Sequence, residues 1–341
     1  MNEEQVKESV LAKDEAAYWK GWMQSIATEN RINWLQNQVN NRPLDSLIEA
    51  DLRDRAGLIR ILDVGAGPLS VAGSVSSNPN LEIARDCSDP LGNVYTKLLN
   101  DNGISSPSYI CKPAERLLDV VAPESYDYVF CRNALDHSYD CPSAIQDLIT
   151  ILKPGGVMRL RHYENEALYA NYSGFHRWNF METSGEGIIF SQSSCHNIRT
   201  LTHPCATLAY ESMMSQKDDG TQRRMAEFVM VKPSGFSKIA NTEFGICLEI
   251  SSCRRLLKVT KSDGYDSTFP MFIHLHSESK KPLSTTLVWE DTTERIFPLF
   301  DSSSAASPVF SKVAMGQYDF IEGHNHYSPS FQNQWYLEFD L

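Results

Sequence analysis

The sequence predicts a doubly wound α/β domain followed by a C-terminal all-β domain of sandwich or jelly-roll-like character. Three observations lead there. Short apolar runs alternate with helical segments from residue 44 onward, the pattern of a parallel sheet covered by helices on both faces. The first of those runs ends in a glycine turn, LDVGAGP at 62–68, and ligands of such folds collect at the carboxyl ends of the strands. Beyond Pro233–Ser234–Gly235 the segments ICLEI, RLLKVT, MFIHLH, TTLVWE, RIFPLF and QWYLEF follow one another with turn clusters between them, which suits a β-sandwich. A chain of 341 residues is long enough for two cores. We divide it into an N-terminal helical segment or lid (1–43), the α/β domain (44–234) and the β domain (235–341).

Composition narrows the function classes. A net charge of −12 lacks the basic footprint of a dedicated nucleic-acid binder. No run of about 18 apolar residues occurs, so no membrane partner is expected. The start, MNEEQVKESVLAKDEAAYW, has no apolar signal-peptide core. The eight cysteines form no CxxC pair and read as reduced thiols, so a cytoplasmic location is expected.

Taken in order, residues 15–39 read as helix. Tyr18, Trp22 and Ile26 recur four apart with Trp19 and Met23 beside them, a stripe that either packs on the sheet or closes a ligand cleft as a lid. Leu44 to Arg55 is a second helix. Ile59–Val64 is the first strand and Leu81–Ala84 the second. A helix over Val94–Leu99 leads to a short third strand at Tyr109–Cys111, and YDYVFC at 126–131 is the fourth. Pro142 opens a helix with Ile145, Leu148, Ile149 and Leu152 at helical spacing, which LKPGG ends. Val157–Arg161 is the fifth strand. After residue 185, GIIFSQ, NIRTLTH and AEFVMVKP read as strands, the last a candidate to close the first domain. DSSSAASP at 301–308 reads as a surface loop.

The glycine turn admits several nucleotide readings. A dinucleotide loop wants GxGxxG, and the third position here is Ser70. A P-loop needs a Gly-Lys-Ser/Thr ending, and none follows. S-adenosylmethionine, with its ammonium and sulfonium charges, suits an acidic residue beside glycines at 65 and 67, where the backbone approaches closely for want of a Cβ. LDVGAGP, then RDCSDPL, then YDYVFCRNALDH, then ILKPGGV, in this order and spacing, resembles the class I S-adenosylmethionine-dependent methyltransferase family over about residues 45–235.

That resemblance implies a Rossmann-like fold, S-adenosylmethionine as cofactor and S-adenosylhomocysteine as product. It places Asp63, Gly65 and Gly67 on the methionine part of the cofactor. It places an acidic residue after the second strand on the ribose hydroxyls, where a carboxylate accepts two charge-assisted bonds. Asp89 is preferred because Asp-Pro-Leu looks like the strand-to-helix turn, and Asp86 is the alternative. The family's usual aspartate near adenine is replaced by Pro113-Ala114-Glu115, so Ala114 or Glu115 takes that place. Arg132 and Asn133 follow the fourth strand and pass under the cofactor.

Methyl transfer asks the protein to align an acceptor and, for a hydroxyl, to take its proton. Histidine is the natural acceptor near neutral pH. His137 ranks first, then His176, then His162. Asp136, Glu164, Trp178 and Asn179 are the candidates for holding a polyol, since aromatic faces cover C–H surface and polar tips fix hydroxyls. The structural readings stand beside these. His137 could bond only backbone at a helix start, Trp178 could be core, and Glu164 and Glu166 alternate in direction so that one at most faces a site. A metal set of Asp136, His137 and Glu164 lacks ligand-motif spacing, and no metal is assigned.

The expectation is O-methylation of a hydroxyl on a sugar, glycoconjugate or other polar small molecule. The alternatives are a non-catalytic glycan- or partner-binding protein with a vestigial fold, and a different nucleotide-dependent enzyme. The β domain, with GHNHY at 323–327 and Trp335, invites a lectin-like idea, but support or homo-oligomerisation is preferred.

Overall fold

The computed structural model describes residues 3–25, 31–183, 186–202, 205–216, 220–241, 246–251, 256–261, 271–277, 287–289, 294–298, 309–315, 317–321, 324–328 and 334–340. The chain falls into two compact units, 1–232 and 233–341.

The first unit opens with helices α1 (Glu3–Ser25), α2 (Arg31–Asn40) and α3 (Ser46–Asp51), then strands β1 (Gly57–Val64) and β2 (Leu81–Ser88). Helix α4 (Gly92–Asp101), strand β3 (Tyr109–Ile110), strand β4 (Tyr126–Arg132), helix α5 (Cys141–Ile151) and strand β5 (Leu152–Tyr163) follow. A short helix α6 (Glu166–Tyr169) precedes β6 (Asn179–Thr183), β7 (Glu186–Phe190), β8 (Cys195–Asn197) and helix α7 (Ile198–Thr202). Strands β9 (Ala206–Gln216) and β10 (Gln222–Val231) complete the unit.

A seven-stranded sheet in the order β3-β2-β1-β4-β5-β10-β9 is its spine. Strands β1 to β5 run parallel, and β10 runs antiparallel to both β5 and β9. The centre of the sheet is apolar on both faces, as a doubly covered parallel sheet requires: Ile61, Leu62 and Val64 of β1 and Val129, Phe130 and Cys131 of β4 are all buried. Helix α5 lays Ala144, Ile145 and Leu148 against this sheet. It starts where the Asp140 carboxylate accepts from the Ser143 N–H, with Pro142 in its first turn. Met23 of α1, Leu35 and Val39 of α2, and Leu99 of α4 form a second cluster.

Three expectations change. Residues 15–39 are not one helix: α1 ends at Ser25 and α2 begins at Arg31. Tyr18 is exposed while Met23 is buried, and Ile26 lies outside the described residues. NIRTLTH carries a short helix rather than a strand, because Asn197 accepts from the Arg199 N–H and Ile198 and Thr202, four apart, are both buried. AEFVMVKP lies in β10, the last strand of the first unit, as expected, with β9 beyond it at the sheet edge. LKPGG does not separate helix from strand, since β5 starts at Leu152 directly after α5. The loop expected at 301–308 lies outside the described residues.

One buried ionic group ties α3 to the sheet. Arg159 on β5 donates to the Asp51 carboxylate at 3.0 and 2.8 Å and pairs with Glu227 on β10, and the Tyr128 hydroxyl donates to Asp51 at 2.7 Å. Burying both carboxylates without the guanidinium is costly, so Arg159→Met is expected to remove about 3–5 kcal/mol of stability in denaturant unfolding of the full chain. Lys97→Met, at the exposed Lys97–Asp101 pair, should change it by less than about 0.5 kcal/mol. Equal losses in the two variants would contradict this assignment.

The second unit consists, among the described residues, of strands. These are β11 (Phe236–Asn241), β12 (Ile246–Ser251), β13 (Leu256–Lys261), β14 (Met271–Ser277), β15 (Leu287–Trp289), β16 (Glu294–Pro298), β17 (Val309–Met315), β18 (Gln317–Ile321), β19 (His324–Ser328) and β20 (Gln334–Asp340). They form sheets β11-β12-β13-β16 and β15-β14-β20-β17 and a β18–β19 pair.

Candidate active site

A cleft of about 840 Å³ opens at the carboxyl ends of β1, β2 and β4. Its floor is the turn after β1. Gly65 has a φ of 65°, and a Cβ there would lie 2.1 Å from the Cβ of Ala134, in the loop after β4. Only glycine therefore lets these two loops touch. The N–H groups of Gly65 and Ala66 donate to the Ser88 carbonyl at 2.8 and 3.1 Å, and the Tyr109 hydroxyl donates to the Gly67 carbonyl at 2.6 Å. The turn is thus fixed to the ends of β2 and β3.

Two carboxylates are buried beside it. Asp63 accepts from the Ser70 hydroxyl at 2.5 Å. Burial lifts its pKa to about 6, with the Ser70 bond and the charge of Arg85 pulling the other way. Asp89 accepts from the N–H groups of Leu91 at 2.8 Å and Gly67 at 3.2 Å, and burial lifts it to about 6 as well. Asp86 is elsewhere: its carboxylate accepts from the Tyr126 hydroxyl and pairs with Arg60. Asp89, not Asp86, faces the cleft.

Ala114 and Glu115 line one wall. Glu115 accepts from the Tyr139 N–H at 3.0 Å, and burial raises its pKa. Arg132 and Asn133 line the floor. Asn133 sits at a φ of 49° and accepts from the Tyr163 N–H at 2.9 Å, which joins the ends of β4 and β5.

On the far side stands a histidine–carboxylate group. His137 lines the cleft. Its Nε2 is 3.3 Å from both Asp136 Oδ2 and His176 Nδ1, and His176 Nδ1 is 2.7 Å from Asp136 Oδ2. Asp136 is buried, which raises its pKa. His137, the His176 hydrogen bond and His162 more than reverse this and hold it at about 2, so it is ionised across the working pH range.

Other sequence candidates are not brought to the cleft. His162 is buried, stacks on Phe180 with ring centres 3.8 Å apart, and is pushed by burial to a pKa of about 4. Glu164 accepts from the Ser212 hydroxyl at 2.6 Å and pairs with Arg224, held by the neighbouring strands. Trp178 is core, with its indole N–H donating to the Ser138 carbonyl at 2.9 Å. Asn179 is fully buried, accepts from the Leu168 N–H and donates to the Tyr172 hydroxyl. Trp178 directly precedes β6 and Asn179 opens it opposite Phe190 of β7, and both are buried.

Tyr18 and Trp19 of α1, read from the sequence as part of a stripe that packs on the sheet or closes a cleft, wall the cleft. The sequence did not mark Glu15 beside them, nor Tyr139, Phe175 and Arg177 on the side near His137, as lining residues. Arg177 stacks over the Tyr139 ring at 3.9 Å. The signal was the aromatic and cationic content of YSGFHRW, in which Trp178 drew attention away from its neighbours.

Residues 62–160 match a family model described as a methyltransferase domain. The α/β unit carries a methyltransferase domain, consistent with a class I S-adenosylmethionine-dependent methyltransferase. No curated protein matches the chain by sequence. Similar solved structures include the YcgJ protein of Bacillus subtilis, at 15% identity over 56% of this chain and 99% of that one, with a TM-score of 0.37. An S-adenosylmethionine-dependent methyltransferase of Methanosarcina mazei is 12% identical over 51% and 92%, with a TM-score of 0.35. The N-methyltransferase NodS of Bradyrhizobium japonicum, solved with S-adenosylhomocysteine, is 13% identical over 55% and 85%, with a TM-score of 0.37. The assignment rests on the matched segment and the glycine turn, not on these likenesses.

S-adenosylmethionine is the cofactor that the sequence resemblance implies, and the cleft fits it. The turn leaves no room for a side chain at 65, and Asp63 and Asp89 accept hydrogen bonds from neutral donors while facing the cleft. An ammonium and a pair of hydroxyls are the partners such carboxylates lack. Asp63→Ala and Asp89→Ala should each weaken S-adenosylhomocysteine binding tenfold or more in calorimetry, since a charged hydrogen bond is worth about 1.5–3 kcal/mol. Asp86→Ala should not. Binding favours the ionised carboxylates, so wild-type affinity should be flat above pH 7 and fall as pH drops through about 6. A pH-independent affinity, or a loss confined to Asp86→Ala, would contradict the assignment.

Proposed function

We propose that this methyltransferase acts on a hydroxyl oxygen of a sugar, glycoconjugate or other polar small molecule, with His137 as the proton acceptor. The observation that carries the reading is the placement of His137. Of the three candidate histidines it alone lines the cleft, with the buried, ionised Asp136 behind it. When bound, S-adenosylmethionine supplies an electrophilic methyl group. The His137 imidazole takes the proton that the acceptor hydroxyl loses, and the Asp136 carboxylate, 3.3 Å from its Nε2, stabilises the imidazolium that results. The Nδ1–H of His176, 2.7 Å from the same oxygen, keeps that carboxylate aimed.

The wall beside His137 supports this acceptor class: Tyr139, Phe175 and Tyr163 line it, and Arg177, stacked on the Tyr139 ring, adds a donor fork. Flat apolar faces with a few fixed polar tips suit a polyol. Asp63, Gly65 and Gly67 hold the methionine part of the cofactor, Asp89 the ribose, Ala114 and Glu115 the adenine, and Arg132 and Asn133 pass beneath. Helix α1, which brings Glu15, Tyr18 and Trp19 to the cleft, is read as its lid. We read the C-terminal unit as a sandwich-like module for support or self-association, and the protein as cytoplasmic.

His137→Gln is expected to cut turnover on a hydroxyl acceptor by about 10²–10⁴ while leaving S-adenosylhomocysteine affinity within about twofold. Near-wild-type turnover in that variant would remove histidine base catalysis and leave alignment as the sole contribution of this side of the cleft.

A further inference from the structure

We propose that Asp136 Oδ2, His137 Nε2 and His176 Nδ1 form a binding site for a first-row divalent transition-metal ion. The three atoms lie 2.7, 3.3 and 3.3 Å from one another. They share a circle of radius about 1.8 Å, so an ion at the usual bond length of about 2.1 Å reaches all three from a point about 1 Å out of their plane. Both ring nitrogens can donate to Asp136 Oδ2, or one can leave its lone pair facing the carboxylate, and in that second state a cation is the partner the triangle lacks. A cation at the centre accepts all three lone pairs.

The arrangement is held by the backbone. The N–H groups of Arg177 and Trp178 both donate to the Asp136 carbonyl, at 2.8 and 3.0 Å. They pin the loop that carries His176 to the turn that carries Asp136 and His137. Phe175 packs on the His137 ring with centres 5.7 Å apart. Asp136 Oδ1 has no hydrogen-bond partner among the described residues and faces His162 Nδ1 at 3.9 Å, so this buried carboxylate is supplied with less hydrogen bonding than its charge requires. Two imidazoles and one carboxylate favour zinc, cobalt, iron, manganese or nickel over magnesium or calcium.

Asp136 is covered by protein while His137 and His176 are each about one-third exposed, so the remaining coordination positions open toward the cleft. The site requires His176 where the sequence pattern had offered Glu164, and it sets aside the expectation of no metal. It deepens the hydroxyl-acceptor reading and rests on it only for its use: an ion there would acidify a coordinated hydroxyl.

The test is a titration of the untagged, chelator-stripped full chain with cobalt(II), followed by visible absorption and by calorimetry without acceptor. One ion per chain is expected. Asp136→Asn and His176→Gln should each weaken it at least tenfold. Glu164→Gln and His326→Gln should leave it unchanged, and S-adenosylhomocysteine affinity serves as the check of folding. No binding, or binding insensitive to Asp136→Asn and His176→Gln, would overturn the proposal. The proton-acceptor role of His137 fails separately, if His137→Gln keeps full turnover on a hydroxyl acceptor whether or not metal is bound.

Discussion

Three carboxylates buried at one edge of the sheet set the character of this cleft. Asp63 and Asp89 lose more hydration than their neutral hydrogen-bond donors return, and each is lifted to a pKa of about 6. Asp136 is equally buried, but three imidazoles gather round it and hold it at about 2. One side of the cleft therefore has carboxylates short of positive partners, which suits a cationic, hydroxyl-bearing cofactor. The other side has a permanent anion that orders its own histidines. The separation depends on backbone geometry: Gly65 lies against Ala134, and the loop after β1 meets the loop after β4 with nothing between them.

The cofactor half was legible because its chemistry sits in contiguous sequence. Asp63, Gly65 and Gly67 lie within five residues, and the parallel order of β1, β2 and β4 brings Asp89 and Asn133 alongside. Even Ser70, which first counted only as a missing glycine, proved to be the donor that steadies Asp63.

The acceptor half was less legible, for a physical reason. Its loop, residues 173–178, has neither helical nor strand periodicity, so nothing in the pattern says which side chains turn inward. Trp178 went to the core and Arg177 to the cleft, one residue apart. Glu164 was lost to β9, a strand whose ATLAYESMMSQ mixes polar and apolar residues too evenly to stand out. The contribution of α1 is a long-range contact: its aromatic stripe offered a lid as one of two readings, and the cleft it meets lies far away in the sequence. In the second unit the strands ICLEI, RLLKVT and MFIHLH fall where alternation placed them, which speaks to local structure and not to purpose.

The central claim is that one cleft holds S-adenosylmethionine between Asp63 and Asp89 with its reactive end toward His137. A crystal structure of the full chain with S-adenosylhomocysteine tests it most directly. The account predicts the amino-acid part against Gly65 and Asp63, both ribose hydroxyls within about 3 Å of the Asp89 carboxylate, and the thioether sulfur facing His137. Ligand bound outside this cleft, ribose on Asp86, or a sulfur turned away from His137 would contradict it.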